Sequence, residues 1–309
     1  MANPLAPTYG IWLVSLWLAT ILYGVGMLQA WLYFHWYSSD HWGVKLTVVC
    51  LIVCETLHIS CLFGATYDAF VNNFGDAGAI FIITWSEQTQ LLAGFLSAFI
   101  VQMYFAWCIF LLSKKQKAVT LLIVTLAFAQ IGAGLAQTIK SAILGSLLKI
   151  DSIKPVVIFQ SVAALACDTV ITLALYLTLR SKRAGMKRTD TLLQKLMLNA
   201  INRGALTTLA AAANIILFLA LPGTLYFILG LLISSKLYMN SMLATLNTRQ
   251  HLMQTMHASN EPWNSNSIHL TRLSTVPNRP LDTPTSTAFH PDDTKSTGVV
   301  KPDLVENMI

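Results

Sequence analysis

Near the end of an otherwise apolar run, the stretch Ser234-Ser235-Lys236-Leu237-Tyr238-Met239-Asn240-Ser241 gathers a lysine, a tyrosine, an asparagine and three serines. In hydrocarbon such groups are costly, so they must face protein or water, and the helix that carries them is expected to form one wall of a binding site. Two further clusters belong with it. Glu55 and His58 stand three apart and so are neighbours on one helical face, and Asp168 has Thr172 one turn further on. Counted at 1.5 Å per residue, Lys236 lies about 20 Å and Asp168 about 18 Å from the outer boundary, and Glu55 about 15 Å from the inner one. All three therefore sit at similar depth in a core of about 30 Å. An unpaired charge there costs about 2.5–3.5 kcal/mol, so Lys236 is expected to pair with Asp168 or Glu55. The candidates for a ligand site or ion pair are Glu55, His58, Asp168, Thr172, Lys236, Tyr238 and Asn240. No residue is assigned a catalytic role.

A metal site is the other chemistry to weigh. Cys50, Cys54 and Cys61 share one helical face, but no acidic or histidine ligands stand in register with them, so they read as small packing residues. None of the five cysteines lies in a loop, and no loop-stapling disulfide is expected. No metal and no cofactor is expected either. Arg203, Lys140 and Glu87, near span ends, read as snorkelling side chains. Gln29, Gln102, Gln130 and Gln137 read as interhelical hydrogen-bonding glue.

The elements that must position these groups follow from composition. The chain has 309 residues, 55% hydrophobic and 11% charged, against about 25% charged in a soluble domain. The apolar excess falls in blocks of about 20 residues, the length that crosses a bilayer as helix. The fold class is therefore all-α: a polytopic membrane protein with a seven-transmembrane helix bundle and a disordered C-terminal tail. The spans run from about Gly10 to Phe34, Lys45 to Tyr67, Glu87 to Leu112, Ala118 to Lys140, Val156 to Leu179 and Gly204 to Leu221, and then from the Pro222-Gly223 turn to about Leu246. Residues 1–9 form a short extracellular N-terminus, residues 10–249 the helical domain and residues 250–309 the tail. Ser, Thr, Asn, Pro and charges dominate the tail without an apolar period. The N-terminus lacks the basic region that opens a cleaved signal peptide, so the first span is expected to be retained.

Several local readings refine this. Gly24-Val25-Gly26 should let another backbone approach, and Trp31 to Tyr37 should form an interfacial aromatic belt. Ala79 to Trp85 is too short to span and reads as an interfacial or lid segment. Gly132 and Ala136 form a small-xxx-small pair expected to pack against another helix. Lys195, Asn199 and Arg203 recur every four residues and mark a cytosolic or interfacial extension before span six.

The links after spans three and five hold Lys114, Lys115, Lys117, Arg180, Lys182, Arg183, Lys187 and Arg188, eight basic residues against the three (Lys140, Lys149, Lys154) of the links after spans two, four and six. The positive-inside rule then places the N-terminus outside and the tail in the cytosol. The same rule accounts for most of the net charge of +6, so no nucleic-acid partner is implied.

Five stretches carry a family resemblance: Leu22 to Phe34, Glu55-Thr-Leu-His58, Lys187-Arg-Thr-Asp190, Asn199-Ala-Ile-Asn202 and Ser235 to Arg249. They resemble a large family of seven-span membrane proteins from mushroom-forming fungi, filed as a domain of unknown function. The resemblance covers about Tyr9 to Arg249. It implies a fungal integral membrane protein and no particular activity.

Seven spans, an outside N-terminus, basic inner links and a Ser/Thr-rich tail match the layout of a receptor-like sensor with a polar site between spans two, five and seven. The chain departs from G-protein-coupled receptors in lacking an Asp-Arg-Tyr-like triplet after span three and an Asn-Pro-x-x-Tyr in span seven. A small-solute or ion transporter or channel is the alternative, on the strength of the intramembrane ionisable groups. No inverted repeat is visible for it. A non-catalytic scaffold or adaptor is the third reading. A pigment-binding protein or intramembrane enzyme is disfavoured, because the position where microbial opsins carry an Asp one turn before the lysine is Leu232, and His58 and Glu55 are too few for a hydrolase metal site. The expected partners are the lipid bilayer of a plasma membrane or endomembrane, a small-molecule ligand, and a cytosolic partner at the basic inner links and tail.

Overall fold

Apolar runs without internal proline satisfy their own backbone only as helix once water is excluded. The computed structural model describes residues 6–76, 78–112, 117–181, 187–221 and 225–258. Among them stand seven long helices: α1 (Ile11–Trp36), α2 (Trp42–Tyr67), α3 (Trp85–Leu112), α4 (Lys117–Leu144), α5 (Lys154–Ser181), α6 (Lys187–Ala220) and α7 (Tyr226–Ala258). Six contain stretches long and apolar enough to cross a membrane, and α6 contributes the shorter apolar stretch Gly204–Ala220. The surface agrees with that composition. Trp17, Phe63, Leu121 and Leu209 are 64%, 61%, 67% and 69% exposed, an apolar exterior that water does not tolerate and lipid does. The chain is a multi-pass membrane protein.

Each helix packs on its neighbour in the chain, and α7 closes the ring against α1. α3 is the inner helix: it also touches α5 and α7, and half of its apolar window is buried, against 22% for α1 and 28% for α4. The helix ends carry local stops. His41 caps α2 by accepting from the Gly43 amide at 3.1 Å, and Pro155 sits in the first turn of α5, where a missing N–H costs nothing. Between α2 and α3, the short 3-10 turn Ala79–Phe81 buries Ile80 against the bundle. The Ile83 amide then donates to the Gly145 carbonyl at 3.1 Å, and Gly145 supplies the positive φ (64°) that ends α4. The segment anticipated as interfacial or lid-like is thus pinned to the α4–α5 link.

Three local expectations are corrected. Gly132 is exposed, with nothing near the place a Cβ would occupy, whereas a Cβ on Gly134 would lie 2.7 Å from the Phe95 ring; the close approach of α4 to α3 uses Gly134. Of the aromatic belt, Trp31 and Trp36 face outward while Tyr33 and Tyr37 are buried. Finally, α7 continues to Ala258, beyond the Arg249 boundary read from composition. The run Arg249 to Ala258 holds no Gly or Pro and is rich in Gln, Leu, Met and Ala, so loss of apolar period marks the end of the span and not of the helix. The tail from residue 259 and the basic residues at 113–116 and 182–186 lie outside the described residues.

The core divides along the bundle axis. At the end with the α1–α2 link, Tyr33, Val44, Phe105, Ile109, Ile171, Met242 and Leu246 form one apolar cluster. At the opposite end, Trp12, Leu62, Ile80, Phe218 and Phe227 form another. Glu55, His58 and Lys236 lie between the two, while Tyr238 belongs to the first cluster and Asp168, Thr172 and Asn240 alternate with its members along α5 and α7.

Candidate functional site

The inner stripe of α2 is Val44, Val48, Leu51, Glu55, His58, Leu62 and Ala65, all buried. The alternating steps of four and three keep these side chains on one face, so Glu55 and His58 occupy positions where the pattern would otherwise place apolar residues. Across from them, α7 brings Lys236. Its Nζ lies 2.7 Å from Glu55 Oε2, and both side chains have no exposed surface. Ser235 joins the pair, donating to Glu55 Oε2 at 3.3 Å and accepting from Lys236 Nζ at 3.3 Å. Glu55 Oε1 is buried with no hydrogen-bond partner among the described residues. Of the two carboxylates expected to compete for Lys236, Glu55 is the one that pairs.

Asp168 on α5 has a different partner. The Tyr238 hydroxyl donates to Asp168 Oδ2 at 2.6 Å, joining α7 to α5. Lys236 and Tyr238 are two residues apart, which on a helix turns them to opposite sides. One therefore reaches α2 and the other α5.

A cavity of about 70 Å³ opens beside this layer, lined by His58, Gly94, Gln130, Gln160, Thr207 and Tyr238 among others. His58 is 2% exposed, and its Nδ1 is enclosed with no hydrogen-bond partner among the described residues. A Cβ on Gly94 would lie 3.3 Å from the imidazole and 3.8 Å from Ser235 Cβ, so glycine lets α3 approach both. A second cavity of about 80 Å³ shares Gln90, Gln160, Ser161 and Asn214 with the first and extends to Trp12, Glu87 and Gln137. The two chambers therefore run on from one another, from mid-bundle toward the end that carries the N-terminal turn. Each is large enough for more than one water. No Lys or Arg lines either chamber among the described residues.

Thr172 and Asn240 lie off the cavity. Thr172 Oγ1 donates to the Asp168 carbonyl at 2.7 Å and fills the space over Gly204 of α6. Asn240 Nδ2 donates to the Leu22 carbonyl at 2.9 Å and to the Lys236 carbonyl at 2.8 Å, so it fastens α7 to α1. Gln102 and Gln130 hydrogen-bond to each other at 2.5 Å between α3 and α4, and Gln130 also reaches the cavity. Among the described residues no two of the five cysteines are joined in a disulfide, and the Cys167 thiol donates to the Ile123 carbonyl at 3.7 Å. Among the described residues no three His, Cys, Asp or Glu side chains gather as metal ligands would.

The sequence reading passed over Gln90, Gln160 and Asn214 and assigned Glu87 to the interface. Each had a signal. Gln160 is in register with Ala164, Cys167, Asp168 and Ile171 on the buried face of α5. Asn214 is a strongly polar side chain inside the apolar stretch Gly204–Ala220. Gln90 and Glu87 lie three apart at the start of α3 and so share a face.

The matched part of the chain is the one that carries Lys236 and Tyr238. Residues 164–251 match a family of unknown function, DUF6534. The DUF6534 match takes in Asp168, Asn214, Lys236 and Tyr238 and leaves out Glu55, His58, Glu87 and Gln90. Both partners of the α5–α7 hydrogen bond thus fall inside it, and only one partner of the ion pair does. No curated protein and no solved structure matches the chain.

Proposed function

We propose that this is a receptor-like or sensory membrane protein that binds a small molecule in the cavity beside His58 and Tyr238. The observation that carries the reading is the shape of the polar interior. Its two chambers run from one end of the bundle to the middle, and there the apolar cluster of Phe105, Ile109, Ile171 and Met242 lies beyond them. A dead-end site suits a molecule that enters, binds and leaves by the same route, and a conduit needs a continuation. The site is wider than the interval between spans two, five and seven, since α3, α4 and α6 also contribute walls.

In this reading α6 is the seventh crossing. Gly204–Ala220 alone gives about 25 Å of helix, and the turns before it supply the remainder. The basic links are cytosolic, so the chambers face the outside and the α1–α2 end faces the cytosol, in a plasma membrane or endomembrane. This layout is also the one implied by the chain's resemblance to a seven-span family from mushroom-forming fungi. Those links and the tail are where a cytosolic partner would engage, and the protein has no catalytic role.

The test is a ligand panel against the purified protein in nanodiscs, read as thermal stabilisation, with flux measured in parallel in proteoliposomes. A binder should raise the midpoint in the native protein and lose its effect in Ala211→Leu, which fills the inner chamber. Saturable uptake of the binder into liposomes would replace the receptor reading with a transporter. A panel that yields no binder dependent on Ala211 would remove the ligand site.

A further inference from the structure

We infer that the ligand of this cavity is a small organic amine in its cationic form, with its ammonium at Glu87. The inference rests on the reading of the cavity as a ligand site and names the chemistry that site would take. Three observations lead to it.

The first is the sign of the walls. Glu87 is the sole carboxylate lining either chamber among the described residues, and no Lys or Arg stands beside it. The other two intramembrane carboxylates are engaged, Glu55 by Lys236 and Asp168 by the Tyr238 hydroxyl. The Glu87 side chain has no ion-pair partner among the described residues; the Thr84 backbone amide faces its carboxyl, and its own backbone amide donates to Thr84 Oγ1 at 3.4 Å, which holds the group in place without neutralising it. A lone carboxylate in the wall of a membrane-embedded cavity favours a cation and repels carboxylates and phosphates.

The second is the balance of donors and acceptors. Gln90 and Gln137, each 6% exposed, each keep a carboxamide oxygen without a donor among the described residues. Both border the outer chamber together with Glu87. An ammonium has three donors and no acceptor, so it complements a carboxylate flanked by unsatisfied oxygens. Trp12 and Phe227 also line this chamber, and aromatic faces attract ammonium groups.

The third is size. The two chambers, about 70 and 80 Å³, together approach the volume of a protein cavity that holds benzene, about 150 Å³. That is far more than a bare ammonium or alkali ion fills. Leu91, Leu231 and Leu232, shared by the two chambers, and Ala164 and Ala211 of the chamber beside His58 give the body of the molecule an apolar side.

The experiment uses the full chain in nanodiscs of neutral lipid, so that an anionic membrane surface does not concentrate cations. Thermal stabilisation is titrated with benzylamine, with benzyl alcohol as its uncharged isostere, with benzoate as an anion of the same size, and with potassium chloride at matched ionic strength. Benzylamine should half-saturate at a concentration about tenfold or more below benzyl alcohol, as a charge-assisted hydrogen bond implies. Potassium chloride and benzoate should give no saturable shift. Glu87→Gln should erase the preference for the amine, and Glu87→Asp, which keeps the charge, should retain it. Equal binding of amine and alcohol, an equal effect of potassium chloride, or an amine preference that survives Glu87→Gln would overturn the inference. Saturable binding of the alcohol or of benzoate without the amine would also overturn it while leaving the ligand site standing. The site itself falls only if the wider panel yields no binder that depends on Ala211.

Discussion

At the scale of single residues, the decisive contact is the one between Lys236 and Glu55. Two charges stripped of water gain by pairing what they lose in hydration, roughly, so the pair contributes little net stability. Its effect appears when one member is removed. Lys236→Met should destabilise the protein by about 3–5 kcal/mol, because Glu55 is left as a buried charge without a counter-ion. Adding Glu55→Gln should recover part of that loss, and adding Asp168→Asn should not, since the Tyr238 hydroxyl, and not Lys236, holds Asp168. Unfolding of the single and double variants in a fixed detergent or nanodisc measures both couplings. Additive losses in the Lys236–Glu55 cycle would show that the pair is not a unit.

At the scale of elements, polar side chains and absent side chains together set how closely helices approach. Asn240 and Asn247 stand seven apart on α7 and donate to the carbonyls of Leu22 and Gln29, seven apart on α1, at 2.9 and 2.8 Å. Gly26 lies in the interval, and a Cβ there would overlap the Met239 side chain. Glycine spacing by itself did not reveal which positions meet a neighbour. Gly132 and Gly134 on α4 give a direct comparison. Gly132→Ala enters open space and should be neutral, or stabilising by up to about 1 kcal/mol through helix propensity. Gly134→Ala must displace the buried Phe95 ring and should cost about 1–3 kcal/mol. Thermal unfolding of the two variants side by side checks the ranking, and a larger loss at Gly132 would mean that the α3–α4 contact is misassigned.

At the scale of the whole molecule, a ring of helices with α3 inside keeps the polar side chains away from lipid, with one apolar cluster toward each end of the bundle. With α6 as a crossing, the two termini lie on opposite sides of the membrane. An epitope tag at the N-terminus should then be accessible from outside intact cells, and a tag after Ala258 only once they are permeabilised. The second tag belongs after Ala258 because α7 is helical to that point. Both tags on one side would reduce the crossings to an even number and move the chambers relative to the outside.

The sequence alone determined that the chain is helical and membrane-embedded, because hydrocarbon leaves an isolated backbone no alternative to helix and spanning sets the length of each run. It also determined that Glu55, His58, Asp168 and Lys236 point inward, since each stands in register with a buried stripe or deep in an apolar run where lipid would not accept it. Tertiary structure alone decided which partner each one meets. Depth along the bilayer is readable from residue counts, but the rotation of one helix against another is set by packing among side chains distant in sequence. Lys236 and Tyr238 are at nearly the same depth, yet one meets Glu55 on α2 and the other Asp168 on α5. For the same reason the cavity was not legible as a set: Gln90, Gln160 and Asn214 lie on three helices, and only the closure of the ring brings them to one space.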